Sequence, residues 1–288
     1  MIVTDRDIVI ADYSVRSFAK IEDVAFKLVV YSNWVRSDLK QRYFPGWRRL
    51  PFVEIWEDPL QTDDLKPQDR SLWGPFELGY VVWDRELRKL TDSPYHAIVD
   101  ADFEVVDQRF VHVMLQRLQT EANLVAMSAN YDPTRSNVYD SYTDRSIELV
   151  ERWHTHFCIY KRSALACPVS YGLREEPLAG PVPARVWDDH AYFQQALRDQ
   201  YGFKLAAVEP RYQRCFIHYG AFAENRHITE GNVAMYRWVK LLRHCGLWGL
   251  GDPITRLLGA VLDRLFFGHV DRSTFVEGWA QSKGQVSH

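Results

Sequence analysis

Residues 95–106 read YHAIVDADFEVV. A short apolar run, Ala97-Ile98-Val99, ends in two carboxylates, Asp100 and Asp102, with only Ala101 between them. A second run of strand character, 103–106, follows at once. An abrupt change from apolar to acidic marks the carboxyl end of a buried strand, and open α/β sheets bind ligands along that edge. Two carboxylates there can hold a divalent cation, and such a cation can clamp a diphosphate. Asp is equally at home in a plain turn between strands, so the flanking sequence has to decide.

Toward the N-terminus, strand and helix patterns alternate. The IVIA run at 8–11 reads as a strand ending at Asp12-Tyr13, and 18–25 as a short helix. KLVVY at 27–31 is a second strand, ending in Ser32-Asn33. A helix over 35–43 is stopped by Pro45-Gly46. A third strand, 52–56, runs into Glu57-Asp58-Pro59. Residues 61–69 are loop-like, and 75–90 form an amphipathic helix with Leu78, Val82, Leu87 and Leu90 among its apolar positions. This alternation predicts an α/β fold with a doubly wound, mostly parallel sheet. Toward the C-terminus the pattern predicts a helix at 108–120, a strand at 124–128 and polar turns at 130–145. A helix at 147–153, a strand at 154–161 and a loop rich in Pro and Gly at 175–184 come next. The helix at 189–199 closes at Tyr201-Gly202, and a strand spans 204–208. From Val233 the pattern is helical to Phe267, broken at 249–253. A catalytic domain is expected over 1–230 and a helical C-terminal extension over 231–288.

Composition narrows the function. Of the 288 residues, 47% are apolar and 25% charged, so a core forms without disulfides. The 35 basic and 38 acidic residues leave a net charge of -3, which excludes general nucleic-acid binding. Cys158, Cys167, Cys215 and Cys245 are scattered with no Cys-x-x-Cys pair, which predicts neither a zinc site nor a disulfide framework. The first residues carry acids and no long apolar region, and no run of 18 apolar residues occurs. The expected location is therefore cytoplasmic. Ten Trp and fifteen Tyr suit a cleft that grips sugars or bases, although most such rings serve as core.

Two further sites stand out. Val186-Trp187-Asp188-Asp189-His190 leads into a helix, where capping and the helix dipole alone would favour acids. Phe216-Ile217-His218-Tyr219-Gly220 follows a strand-like stretch; a lone His there is most often structural.

In order and separation, Asp100-Ala101-Asp102, Asp188-Asp189 with Gly202, and His218-Tyr219-Gly220 resemble the motifs of GT-A fold glycosyltransferases. The inverting family-2-like group is the nearest in pattern, over residues 7–225. The resemblance implies a nucleotide-sugar donor half over 1–106 and an acceptor half over 107–230. It implies that Asp102 ligates Mn2+ or Mg2+ directly and that Asp100 contacts the ribose, or the metal through water. His218 would complete the metal shell, which favours Mn2+. It places the general base on Asp189, with Asp188 as the alternative because the family usually has Glu-Asp. The donor is a nucleotide-diphosphate sugar, a UDP-sugar first. Donor-pocket candidates are Asp12, Tyr13, Ser32 and Asn33, the last able to make a two-sided hydrogen bond to a base. Asp69 and Arg70 are candidates for the diphosphate. Each of these has an ordinary turn or surface explanation.

Trp153, His156 and Trp187 are candidates for an acceptor site, the acceptor being a glycan, a lipid-linked saccharide or a small molecule. His154 and His156 would share one strand face, but no third metal ligand lies near them in sequence. Lys161-Arg162 and Trp47-Arg48-Arg49 read as surface. Leu257, Leu258, Val261, Leu262, Leu265 and Phe266 make one apolar helical face. That face suits packing on the catalytic domain, a homodimer, or docking peripheral to a membrane surface.

Two other readings share these residues. A metal-dependent nucleotidyltransferase or phosphohydrolase would use the same acids, although phosphohydrolases usually carry them after the first strand. A non-catalytic carbohydrate- or nucleotide-binding module would have less need of three separated acidic or His sites.

Overall fold

The N-terminal strand is shorter and earlier than the pattern suggests. In the computed structural model it is β1 (Ile2–Val3), and the run at 8–11 opens helix α1 (Ile8–Ser17) instead of forming a strand. Thr4 N–H donates to the buried Asp7 carboxylate at 2.6 Å, and Ile8 N–H donates to Thr4 O at 3.1 Å, which winds the first turn. Ile8, Ala11 and Val15 then recur at helical spacing and are buried. The β-branched start disguises that period. Asp12 and Tyr13 therefore sit on a helix and not at a strand end.

The structure describes residues 1–5, 7–33, 35–57, 93–132, 136–140, 146–149, 152–169, 175–176, 185–187, 191–219 and positions 230, 231, 233, 234, 237 and 238. All but Trp238 belong to one unit, Met1–Arg237. The expected loop at 61–69, the helix at 75–90 and the apolar face at 257–266 lie outside the described residues.

A single 3-10 turn, Phe18–Lys20, replaces the expected helix at 18–25. Strands β2 (Leu28–Ser32) and β3 (Val53–Glu57) fall within a residue of expectation. Helix α2 (Ser37–Trp47) runs through Pro45-Gly46 instead of stopping there. Pro45 lies in the last turn, so the i−4 hydrogen bond it cannot donate is lost near the helix end and not in its middle. A Cβ on Gly46 would meet only the tip of the Arg16 side chain, with Nη2 at 2.9 Å. There Trp47 Nε1 and Arg16 Nε both donate to Asp12, at 2.7 and 2.9 Å.

β1, β2 and β3 pair in parallel, in that order. A second sheet has the order β14-β6-β11-β4, built from β4 (Tyr95–Val99), β6 (Leu124–Ser128), β11 (Phe157–Lys161) and β14 (Lys204–Ala207). β14 runs parallel to β6, while β11 is antiparallel to both its neighbours, so the sheet is mixed. Helix α3 (Arg109–Thr120) buries Phe110, Val111, Met114 and Leu118 in the core. Each large side chain there contributes about 1.5–3 kcal/mol. The expected α/β class holds.

In the expected helix at 147–153 the described residues are strand: β9 (Ser146–Leu149) and β10 (Arg152–Trp153). The polar stretch at 130–145 contains β7 (Tyr131–Asp132) and β8 (Ser136–Asp140). β12 (Glu175–Glu176) opens the expected loop at 175–184 and joins β13 (Arg185–Trp187), β8 and β9 in the order β12-β13-β8-β9. Antiparallel partners override local helix propensity here. A short helix α4 (Arg162–Leu165) follows β11. Helix α5 (Ala191–Asp199) ends as expected: Gly202 has φ +65°, and its N–H donates to Arg198 O at 3.0 Å.

Among the described residues, Cys158, Cys167 and Cys215 are buried, and no helix is long and apolar enough to cross a membrane.

Candidate metal centre

Ile98 and Val99 anchor the end of β4 in the core, and Phe103 anchors the start of β5 (Phe103–Val105). The Phe103 ring stacks on Phe157 at 5.0 Å and on Phe216 at 5.1 Å. Asp100-Ala101-Asp102 is the turn between these two fixed points. Asp100 N–H still donates to His156 O at 3.0 Å, so the turn begins only after the ladder has ended.

Strand β15 (Phe216–His218) pairs antiparallel with β5, setting Phe103 opposite His218 and Glu104 opposite Ile217. Tyr219 N–H donates to Asp102 O at 3.0 Å. A His 116 positions beyond Asp102 in sequence is thereby delivered to the acidic turn. His218 Nε2 lies 3.3 Å from Asp102 Oδ1 and 3.6 Å from Asp100 Oδ2. One donor atom from each of the three residues lies within 4.8 Å of the others. The Asp102 side chain is only 6% exposed, whereas Asp100 is 37% and His218 30% exposed, so the cluster is open on the Asp100 side.

The donor set fits a divalent ion. Two ligands of one such ion sit at most about 4.4 Å apart, close to the 4.8 Å within which these donor atoms lie. Two carboxylate oxygens with one imidazole nitrogen suit Mn2+ better than Mg2+. With no ion bound, burial works against charge on His218, but the hydrogen bonds and charges of Asp102 and Asp100 outweigh it. The imidazole pKa rises from 6.5 to about 10. The ring is then a cation standing where a metal ion would put one.

His156 is buried beneath this cluster, its ring stacked on His218 at 4.4 Å and 14°. Residues 154–156 precede β11 instead of forming part of it, and the His154 ring lies 5.2 Å from that of His156. Trp153 is buried between Tyr131, at 5.2 Å, and the Arg198 guanidinium, at 5.1 Å. Ser32 and Asn33 are buried at the end of β2, and Asn33 N–H donates to Val3 O at 2.8 Å. Asp12 is held by Arg16 and Trp47. Trp187 is the last residue of β13. Asp69, Arg70, Asp188 and Asp189 lie outside the described residues. Of the candidates, then, the structure brings together Asp100, Ala101, Asp102, His156 and His218.

Sequence reading passed over Glu104, Tyr219 and Arg237. Glu104 is buried, and both the Tyr219 hydroxyl and the Arg237 guanidinium donate to its carboxylate. A signal existed: acids at 100, 102 and 104 put a third carboxylate inside an apolar strand, where it needs a cationic partner.

No family model and no curated protein sequence matches the chain. Among solved structures, it is similar to mannosyltransferase PcManGT from Pyrobaculum calidifontis in complex with GDP-Man and Mn2+. The identity is 10% over 84% of this chain and 61% of that one, with a TM-score of 0.44. It is similar to the WbbM bifunctional glycosyltransferase at 11% identity over 82% of this chain and 50% of that one, with a TM-score of 0.47. For mouse xyloside xylosyltransferase 1 the identity is 11%, the coverage 72% and 76%, and the TM-score 0.37. The chain spans 61% and 50% of the length of the first two.

Proposed function

We propose that the chain is a metal-dependent glycosyltransferase that moves a sugar from a nucleotide-diphosphate sugar to an acceptor hydroxyl, with inversion. The observation that carries this reading is the convergence of Asp100, Asp102 and His218 at the end of β4. Bound there, Mn2+ or Mg2+ supplies positive charge to a departing nucleoside diphosphate.

The chain's own groups do the rest. Asp102 is buried and pre-aligned, so little reorganisation is needed when it takes up its role. Asp100, more open, faces the ribose side or the ion. His218 gives up its Nε2 proton to become a ligand, which couples metal binding to pH. Ser32 and Asn33 would meet the nucleoside and Trp187 the acceptor, while His156, buried against His218, would steady that ring. Asp189, with Asp188 as the alternative, takes the proton from the acceptor hydroxyl as it attacks the anomeric carbon. These last roles rest on the order of motifs in the sequence.

The test is a donor screen with Mn2+ on the full chain, using UDP-, GDP-, dTDP- and CDP-sugars, read by nucleotide product. Release of a nucleoside diphosphate that depends on Mn2+ and disappears in Asp102→Asn is the expected result. Release of pyrophosphate would identify a nucleotidyltransferase. Sugar binding indifferent to metal, with no turnover of any donor, would identify a binding module.

A further inference from the structure

We propose that Arg237 is a positioning residue for the metal centre: with the buried Glu104 and Tyr219 it forms a clamp that sets the spacing of Asp102 and His218. The proposal rests on the reading of Asp100, Asp102 and His218 as a metal site.

Asp102 immediately precedes β5 and His218 ends β15, two strands that pair over only three residues each. So short a two-stranded ladder frays without outside support. The support comes from the residues next along each strand. Glu104 lies two residues beyond Asp102, and Tyr219 one beyond His218. The register makes Glu104 and Tyr219 diagonal neighbours across the ladder, and the Tyr219 hydroxyl donates to Glu104 Oε2.

Arg237 closes both at once. Its Nη2 donates to Glu104 Oε1 at 2.5 Å and its Nε to Glu104 Oε2 at 3.0 Å, while Nε also lies 3.1 Å from the Tyr219 hydroxyl. The guanidinium stands 4.1 Å from the Tyr13 ring centroid on α1. Val233, four residues earlier, is buried with Ile10, Ile217 and Tyr219. A planar fork is needed for this: a lysine ammonium carries the same charge but cannot hold both carboxylate oxygens in a fixed plane. The clamp therefore reads out in geometry and not only in charge.

Mn2+ titrations of the full chain, followed by electron paramagnetic resonance without nucleotide, test the proposal. Arg237→Lys keeps the charge, and the double variant Glu104→Met/Arg237→Met removes the charged pair together, so both remain folded even if Arg237→Met alone does not. Each should retain a melting temperature near wild type. Each should also bind Mn2+ about tenfold more weakly, with a broadened bound-ion spectrum that a purely structural role would not produce. Wild-type affinity and spectrum in both variants would overturn the clamp. If Asp102→Asn loses the ion in the same experiment, the metal site survives that result and only the clamp falls. If the wild-type chain binds no Mn2+, the site reading and the clamp fall together.

Discussion

Two acid–base pairs draw their acids from β5 and the turn just before it, and they differ in one respect. Asp102 faces His218 at 3.3 Å, and Glu104 faces Arg237 at 2.5 Å. Both acids are buried, at 6% and 7% side-chain exposure. Histidine can lose its proton and become a ligand; arginine stays charged at any pH the protein meets. The Arg237 pKa is raised further, since hydrogen bonds to Glu104 and Tyr219 outweigh the cost of its burial. The exchangeable cation marks the site, and the permanent one marks the scaffold that holds it. Two carboxylates two residues apart thus take different roles through their partners alone.

The largest effect should come from the exchangeable pair. Asp102→Asn should lower transfer by on the order of 10³-fold, measured as nucleoside diphosphate release at a temperature where the variant is folded. Equal turnover in wild type and variant would end the distinction between the pairs. The permanent pair should respond in the opposite sense. Arg237→Met leaves Glu104 buried without its cation and should cost about 2–3 kcal/mol in urea unfolding, less than for a fully buried pair because Arg237 is partly exposed. Adding Glu104→Met should recover most of that loss.

The pH response sharpens the contrast. His218 has a folded pKa of about 10 against 6.5 unfolded. Its contribution to stability is full below about pH 6.5 and is lost as pH rises through about 10. Without metal, stability should fall across that window in wild type and stay flatter in His218→Gln. Over the same range Mn2+ should bind more tightly as pH rises, because it displaces a proton. A pH-independent affinity would show that Nε2 carries no proton to displace. The smallest effect belongs to Asp12, whose carboxylate already serves Arg16 and Trp47. Asp12→Asn should cost about 1 kcal/mol of stability and leave Mn2+ affinity unchanged; a lost affinity would move Asp12 into the site.

The acidic turn is legible in sequence because its cause is local: an apolar strand ends where two carboxylates begin. β2, β3, β6 and β14 are legible for the same reason. The run at 8–11 misleads because Ile-Val-Ile suits a strand, and only the turn at Thr4 and Asp7 and the later apolar positions show the helix. Residues 147–153 mislead because their strand character comes from partners at 131–140. His218 is found from its place in the order of motifs, but its delivery to Asp102 depends on the β5–β15 register. Arg237 is invisible to such reading: nothing at 233–238 announces that its partner lies 133 residues earlier.

The most direct measurement counts Mn2+ bound per chain, with a nucleoside diphosphate present, in wild type, Asp100→Asn, Asp102→Asn and His218→Gln. One ion should bind to wild type, with affinity lowered in all three variants and most in Asp102→Asn. Binding in Asp102→Asn and His218→Gln equal to wild type would contradict a metal centre at the end of β4.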